Sequence, residues 1–203
     1  MSGGVDLTPG RAQRLRDAVR SAYSAAAEHP LDKHAFPVGR VLAEGLGYPP
    51  ALLDTLPAIS VDAFAGVSNL SVFAEIPAGA RVLDLGCGAG LDSLIAARRV
   101  GAGGHVIGVD FSEAMLARAH EATAEAAIAV TLFRADAERL PLAGGSIDVA
   151  LVNGIFNLNP ARTEIFRELT RVVRPGGRAY AAELIAREAA SDTGEFDETA
   201  WFA

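Results

Sequence analysis

Two acidic residues, each within or at the end of a short apolar run, are the first candidates for chemistry in this chain. Asp84 lies in the run RVLDL, which is followed by glycines at alternate positions, Gly86, Gly88 and Gly90. A second run, HVIGVD, ends in Asp110 about twenty residues further on, a separation typical of nucleotide-binding βαβ units. Glycines after a strand let the backbone turn tightly and approach a ligand, because they carry no Cβ. The pattern predicts the nucleotide-binding half of a doubly wound α/β domain.

The residues around Asp84 indicate which nucleotide derivative the loop would hold. A dinucleotide loop needs a third glycine or alanine directly after Gly90, and Leu91 stands there. Asp84 also places a carboxylate where a pyrophosphate needs backbone N–H groups and the positive end of a helix. S-adenosylmethionine has no phosphate and carries an ammonium and a sulfonium group, which suit a carboxylate. We therefore expect S-adenosylmethionine and disfavour a dinucleotide-dependent dehydrogenase. Asp110 would bind the ribose in either case.

Other side chains near the loop have both a ligand-binding and a structural interpretation. Phe111 and Met115 could sandwich the adenine, or could be core residues at helical spacing. Asp84 would be costly to bury without a cationic partner, which favours a ligand role. Cys87 would line the site, and the sequence places no base beside it to make it a nucleophile. Asp148 lies at the wrong end of its predicted strand and is expected to be structural. We expect no metal site.

The composition restricts the partners that the chain could have. It has 203 residues, half of them apolar, and a formal net charge of −7, which disfavours a nucleic-acid partner. Arg11, Arg14, Arg16 and Arg20 are clustered, but helical spacing divides them between two faces and predicts a solvated helix surface. A single cysteine excludes an internal disulfide and is typical of a reducing compartment. No segment resembles a signal peptide or a membrane span, so we expect a soluble, cytoplasmic protein with no membrane partner.

The elements that must position these residues follow from periodicity and from proline and glycine. A helix is predicted from Thr8-Pro9 to about Glu28, followed by short helical pieces at 38–45 and 49–55. Residues 60–76 fit either a short helix or a loop. From residue 81 strands and helices alternate, which predicts a parallel sheet with right-handed crossovers. The predicted strands are 81–85, 105–110, 130–135, 147–152 and 178–185, and the predicted helices are 90–99, 112–126 and 161–172.

Five segments in order give the chain a resemblance to a known family. VLDLGCGAG, VIGVDFSEAML, DAERLPL, SIDVALVNG and RVVRPGG resemble the successive motifs of class I S-adenosylmethionine-dependent methyltransferases, over about residues 80–185. Within that superfamily the chain is most similar to the arsenite methyltransferase-like branch. The segments that carry this likeness are LGYPP at 46–50, GLDSLIAARRVG after the glycine loop, and NLNPAR at 157–162.

The resemblance implies a division of the chain and further binding residues. It implies a helical N-terminal lid at 1–76, a cofactor-binding core at 77–187 and an acidic tail at 188–203. It places Asp136 at the adenine amino group, with the backbone N–H of Ala137 beside it, although a loop turn or a helix cap would also explain Asp136. Tyr23 would contact the cofactor from the lid and is also a candidate for positioning the acceptor. Residues 66–69 would either touch the methionine end of the cofactor or form an apolar strap over the sheet.

The resemblance also implies that the sheet is shorter than usual. A class I fold has two further strands after the one predicted at 178–185, and the remaining segment is too short and too acidic to supply them. We therefore expect a mostly parallel, Rossmann-like sheet that lacks the last two strands. YAAELI would then be an uncovered apolar edge, which proteins usually cover. The N-terminal segment or a second copy of the chain would cover it, or the chain is a truncated product; we expect a homodimer.

Polar residues after the fourth predicted strand and in the lid are candidates for positioning an acceptor. Asn153 could hold the acceptor or the methionine moiety, or could satisfy loop backbone groups. Asn157 and Asn159 offer the same role. His29 and His34 lie in the predicted lid, where a histidine is more often a surface or packing residue than a base.

The chemistry expected from these residues is methyl transfer. Displacement at a sulfonium methyl has a good leaving group, so the protein mainly aligns the nucleophile and excludes water, and needs a base only for a protonated acceptor. Trivalent arsenic requires thiolates, whereas this chain has only Cys87, and Gly154 stands where the family commonly places a cysteine. We expect in-line transfer to a small neutral or apolar acceptor other than arsenite. The alternative is a non-catalytic subunit that binds S-adenosylmethionine or serves assembly.

Overall fold

The computed structural model describes residues 9–185, which fold around a five-stranded parallel sheet in the order β3-β2-β1-β4-β5. The strands are β1 (Arg81–Leu85), β2 (His105–Asp110), β3 (Thr131–Arg134), β4 (Ile147–Asn153) and β5 (Val173–Ala182). β1 lies in the middle and pairs with β2 on one side and β4 on the other. The chain therefore reverses its winding direction at β1, and a crevice forms where the carboxyl ends of β1, β2 and β4 meet.

Helices precede the sheet and connect its strands. Those before β1 are α1 (Pro9–Glu28), α2 (Arg40–Gly45), α3 (Pro50–Leu53), α4 (Ala58–Asp62) and α5 (Leu70–Phe73). Those between strands are α6 (Leu91–Val100), α7 (Glu113–Glu125) and α8 (Arg162–Val172). Residues 60–76 thus contain the end of α4 and all of α5, which agrees with the helical alternative for that segment.

Helices cover both faces of the central strands. On one face Leu83 of β1 belongs to the same buried cluster as Ile165 of α8. On the other face Val82 is buried in a cluster with Leu70 of α5 and Ala96 of α6. Strands of a parallel sheet that are buried on both faces are apolar almost throughout, so the carboxyl group of Asp84 in β1 is unusual.

The segment before β1 packs on α6 and α7. Tyr48, Leu53 and Phe64 are buried in one cluster with Leu94 and Ile95 of α6. Helix α1 contacts α7. This packing agrees with a covering role, and the division into a lid at 1–76, a core at 77–187 and a tail at 188–203 stays a prediction. Residues 1–8 and 186–203, which include the predicted helix cap and the acidic tail, lie outside the described residues.

The last strand departs from its predicted bounds. β5 begins at Val173 and pairs there with Ile147, although the sequence predicts a start at residue 178. The register then shifts, and Arg178 pairs with Val149. The proline and glycines between the two pairs form a bulge within the strand. The strand therefore begins before this turn-like motif and continues through it.

The predicted fold class is confirmed: the described residues form a doubly wound, Rossmann-like parallel sheet with flanking helices. Within residues 9–185 there are five strands, and β5 is an edge of the sheet. In this part of the chain no helix is long and apolar enough to cross a membrane. Homodimerisation stays a prediction.

Candidate functional site

A cavity opens at the carboxyl ends of the strands, beneath helix α1. Its volume is about 1130 Å³ including the open mouth, which is enough for a small molecule. Most of the residues predicted to bind a cofactor line it. These are Asp84, Gly86, Cys87, Gly88, Asp110, Phe111, Met115, Asp136, Ala137 and Asn153.

The glycine loop forms the turn from β1 into α6. Gly86 and Gly88 have φ angles of 77° and 51°, a region that favours glycine. The Gly86 N–H donates to the carbonyl of Val109 at 2.8 Å, which holds the loop against β2. Gly90 does not line the cavity, and its predicted cofactor contact stays a prediction. It is the N-cap of α6, where a Cβ would lie 3.3 Å from the Cβ of Ala119.

Asp84 lies in the wall of the cavity at the end of β1. It is 1% exposed and accepts a hydrogen bond from Ser93 Oγ at 2.5 Å. Burial, followed by the charge of Asp92, raises the pKa of Asp84 to about 8. Within residues 9–185 no lysine or arginine forms an ion pair with Asp84. A buried carboxyl group without a cation is costly to ionise, so the site is suited to a positively charged ligand.

Asp92 is a second buried acid of the cavity, and sequence reasoning missed it. Its Oδ1 accepts from Tyr48 Oη at 2.6 Å, from the Ser71 N–H at 3.3 Å and from the Ser71 hydroxyl. Its Oδ2 accepts from Asn153 Nδ2 at 2.9 Å. Asp92 therefore connects the segment before the sheet with β4. The available signal was the single acid of α6, which lies in its first turn, two positions after the glycine loop.

Asp110 organises the loop that a ribose would contact. Its Oδ2 accepts from the Gly88 N–H at 2.9 Å and its Oδ1 from the Ser112 N–H at 2.8 Å. Burial raises the pKa of Asp110, and these two N–H donors act against that rise. Each carboxylate oxygen keeps a further lone pair, so hydrogen bonds to vicinal hydroxyls remain possible.

The predicted adenine-binding residues gather at one side of the cavity. Phe111, Asp136 and Ala137 line it. Met115 also lines it, although it is only 2% exposed and lies in a cluster with Ala26 of α1. Met115 thus belongs both to the core and to the cavity wall, and the two interpretations of this residue do not exclude each other.

The amide of Asn153 is fully used within the protein. Its Oδ1 accepts from the N–H groups of Val67 and Ser68 at 3.0 and 3.1 Å, and its Nδ2 donates to the Ser68 carbonyl at 2.8 Å. The structure therefore gives Asn153 the backbone-satisfying role, in which it holds residues 66–69 on the sheet. Gly66 lines the cavity, whereas the other three residues of that segment do not.

The two other asparagines differ in position. Asn157 does not line the cavity and its side chain donates to the Leu184 carbonyl, so its role in positioning an acceptor stays a prediction. Asn159 does line the cavity and donates from Nδ2 to Glu138 Oε1 at 2.8 Å. The loop after β4 turns between these two residues. Their spacing in the sequence therefore could not show which of them faces the cavity.

Tyr23 is the lid residue that the structure brings to the cavity. Its ring stacks on Phe36 with centroids 4.5 Å apart. Burial raises the pKa of Tyr23 well above its usual value, and the charges of Asp110 and Glu183 act in the same direction. Tyr23 therefore stays a neutral phenol at physiological pH and can donate a hydrogen bond.

Neither lid histidine lines the cavity. One ring nitrogen of His34 lies 2.9 Å from the carbonyl of His29, so these residues close a local turn. Asp148 is structural, as expected: it accepts from the Arg81 N–H at 2.7 Å and pairs with Arg174. These two donors lower the pKa of Asp148.

Two arginines of α1 depart from the predicted solvated surface. Arg16 and Arg20 both line the cavity. Arg16 pairs with Glu138 at 2.8 Å, and the Arg20 guanidinium lies 5.9 Å from the centre of the Phe111 ring. Their shared helix face was visible in the sequence, but the position of α1 over the crevice was not.

Comparisons with known proteins agree with this geometry. The model of a family described as a methyltransferase domain matches residues 82–177. An arsenite methyltransferase of Halobacterium salinarum is 40% identical over 121 residues, which cover 59% of this chain and 31% of that protein. A demethylmenaquinone methyltransferase of Listeria monocytogenes is 37% identical over 106 residues, which cover 51% of this chain and 44% of the relative. The chain thus spans less than half the length of these curated relatives.

Solved structures give the same result. An arsenic(III) S-adenosylmethionine methyltransferase from Chlamydomonas reinhardtii superposes with a TM-score of 0.61 at 30% identity, over 68% of this chain and 50% of that one. A methyltransferase from Aquifex aeolicus, described as dependent on S-adenosylmethionine, superposes with a TM-score of 0.51 at 26% identity, over 62% and 66% of the two chains. Residues 82–177 therefore match the model of a methyltransferase-domain family, and the fold is that of solved S-adenosylmethionine-dependent methyltransferases.

Proposed function

We propose that this chain binds S-adenosylmethionine in the cavity beneath α1 and transfers its methyl group, by in-line displacement, to a small-molecule acceptor. The observation that carries the proposal is the pair of buried acids, Asp84 and Asp92, in the wall of a cavity where no lysine or arginine of the described residues pairs with them. Two carboxyl groups with no protein cation favour a ligand that supplies one. S-adenosylmethionine supplies an ammonium and a sulfonium.

The residues present fit this cofactor along the whole crevice. The glycines of the loop carry no Cβ atoms, so a ligand could approach its backbone closely, and Asp84 would hold the charged methionine end. Asp110 would bind the ribose hydroxyls, with both of its oxygens already oriented by backbone donors. Phe111 and Met115 would contact the adenine, whose edge would meet Asp136 and the N–H of Ala137. A dinucleotide fits less well, because its pyrophosphate would face the two buried acids.

The chain's own residues would position reactants and exclude water. When bound, S-adenosylmethionine supplies an electrophilic methyl group on a sulfonium. Helix α1 covers the crevice with Val19 and Tyr23, which limits the access of water. Tyr23 could orient an acceptor by donating a hydrogen bond, since its pKa is raised. Among the described residues no histidine lines the cavity, so the geometry suits an acceptor that needs no strong general base.

We propose an acceptor other than arsenite, although the relatives include arsenite methyltransferases. The chain's single cysteine, Cys87, is 7% exposed, and burial raises the pKa of its thiol, with the charges of Asp110 and Asp84 acting in the same direction. A buried neutral thiol without a second sulfur is a poor ligand for trivalent arsenic. Gly154 packs against Val67 where a cysteine would have to project, with a Cβ 3.1 Å from Val67 Cγ1.

Calorimetry with S-adenosylhomocysteine and with NAD tests cofactor binding. Wild-type protein should bind S-adenosylhomocysteine and not NAD. Asp84→Asn should weaken S-adenosylhomocysteine at least tenfold at pH 8, because it removes a buried charge opposite the ligand ammonium. Asp148→Asn is the matched control, since Asp148 lies at the opposite end of the sheet, and should leave the affinity unchanged. Binding of NAD, or equal affinities for wild-type and Asp84→Asn, would contradict the proposal.

Methyl transfer is tested separately with donor labelled in its methyl group. The purified chain is incubated with a panel of small acceptors that includes arsenite, and label is followed into product. We expect labelled product from a carbon, nitrogen or oxygen acceptor and none from arsenite. Binding of the donor without turnover on the panel would instead support the non-catalytic alternative.

A further inference from the structure

Asp84 and Asp92 are two buried acids that act on each other inside one cavity. They are 1% and 5% exposed, and both line the cavity wall. The charge of Asp92 is, after burial, the largest influence on the ionisation of Asp84. Two carboxylates that share a low-dielectric site cannot both ionise without cost, so one of them tends to keep a proton.

The hydrogen bonds differ between the two acids. Asp92 accepts from Tyr48, from both the N–H and the hydroxyl of Ser71, and from Asn153. These donors satisfy both oxygens of the Asp92 carboxyl group. Asp84 takes its donors from a single residue, Ser93. The proton therefore belongs on Asp84.

No cation in the described residues offsets this arrangement. The groups that act most strongly on Asp84 are Asp92 and Ser93 from α6 and Asp110 from β2. Tyr48, from the segment before the sheet, and Cys87, from the glycine loop, are neutral at pH 7 because burial raises the pKa of each. Arg16 and Arg20 line the same cavity from α1, but Arg16 is paired with Glu138 and Arg20 lies beside Phe111.

We infer that Asp92 keeps Asp84 protonated in the ligand-free protein, and that a ligand ammonium expels this proton as it binds. Asp92 is thus a positioning residue that acts through Asp84. The inference rests on the proposed function, because it concerns the same cavity and the same cationic ligand. The proton passes from the Asp84 carboxyl group to solvent, and the ionised Asp84 then faces the ammonium.

The inference predicts a pH dependence of binding with a definite sign. A pKa of about 8 leaves Asp84 almost fully protonated at pH 6 to 7. Each binding event then releases up to one proton, so the affinity for an ammonium ligand rises by up to about tenfold between pH 6 and pH 7. The rise becomes smaller as the pH approaches and passes the pKa of Asp84.

Proton release is measured directly by calorimetry. S-adenosylhomocysteine is titrated into wild-type protein at pH 7 in buffers with different ionisation enthalpies, and the slope of the observed heat gives the protons released. We expect a clear release of up to one proton per ligand, because burial and the charge of Asp92 raise the pKa of Asp84. 5′-Methylthioadenosine, which has the nucleoside but no ammonium, is the control ligand and should release none.

Two variants test whether the released proton comes from Asp84 under the influence of Asp92. Asp92→Asn removes the charge that opposes ionisation of Asp84 and should lower the release below the wild-type value, while burial of Asp84 retains part of it. Tyr48→Phe disturbs the same hydrogen-bond network but keeps both acids, so it should retain release near the wild-type value. Release in Asp92→Asn that equals the wild-type value would overturn the role of Asp92. Binding of S-adenosylhomocysteine without release would overturn the inference and leave the proposed function intact, whereas failure of both ligands to bind would overturn the proposed function as well.

Discussion

Arg16 and Glu138 form an ion pair of 2.8 Å that joins helix α1 to the loop after β3, although 122 positions separate them in the chain. Both residues line the cavity. The pair therefore lies in the cavity wall next to the predicted adenine-binding residues Asp136 and Ala137, and it couples the covering helix to the core.

Arg16→Gln should make the cavity easier to open. The pair is partly exposed, with side-chain exposures of 35% and 20%, so its loss should cost about 0.2–1 kcal/mol. We expect S-adenosylhomocysteine to dissociate up to about fivefold faster, with a small change in association rate. Stopped-flow fluorescence measures both rates. Arg167→Gln, which breaks an exposed pair with Glu164 on α8, is the control and should change neither rate.

Asn153→Ala should release residues 66–69 from the sheet. The substitution leaves the N–H groups of Val67 and Ser68 and the carboxylate of Asp92 without their partner, at a cost of about 1–3 kcal/mol. We expect a lower melting temperature and faster amide exchange at Val67 and Ser68. Asn157→Ala is the control, because Asn157 lies outside the cavity wall. Unchanged exchange at both amides would show that Asn153 does not hold this segment.

Gly66→Ala tests how closely that segment approaches β4. A Cβ at Gly66 would lie 2.7 Å from Asn153 Nδ2 and 2.7 Å from Phe64 Cζ, so the backbone or these side chains must shift. Such overpacking costs about 1–3 kcal/mol and should weaken S-adenosylhomocysteine, since Gly66 lines the cavity. Gly45→Ala meets no atom within 4 Å and should be neutral. Chemical denaturation and calorimetry on both variants give the comparison.

Cys87 should react slowly with thiol reagents at neutral pH. Burial raises the pKa of its thiol, so the reactive thiolate is scarce at pH 7 and increases as the pH is raised. We expect alkylation much slower than that of a free thiol, and slower still with S-adenosylhomocysteine present. Mass spectrometry of iodoacetamide-treated protein follows the modification. Fast alkylation at pH 7, unaffected by ligand, would contradict this placement of Cys87.

Local patterns in the sequence were enough to predict the sheet and its acids. Strand alternation placed β1, β2 and β4 within about a residue of their observed bounds, because apolar runs bounded by glycine and acid leave few alternatives. Asp84 and Asp110 were found for the same reason. The start of β5 was not, because a bulge let the strand continue through a glycine-rich motif.

Residues whose role depends on tertiary packing could not be predicted in this way. Asp92 looks like an ordinary acid in the first turn of a helix, and its burial results from Tyr48 and Ser71, which come from a segment of weak periodicity. Arg16 looks like a surface residue until α1 is placed over the crevice. Which of Asn157 and Asn159 lines the cavity depends on the path of the loop after β4.

A crystal structure of the chain with S-adenosylhomocysteine tests the central claim most directly. We predict the ligand beneath α1, with its ammonium within hydrogen-bond distance of Asp84 or one water away, and its ribose hydroxyls on Asp110. A ligand bound elsewhere, or one whose ammonium points away from Asp84, would contradict the account.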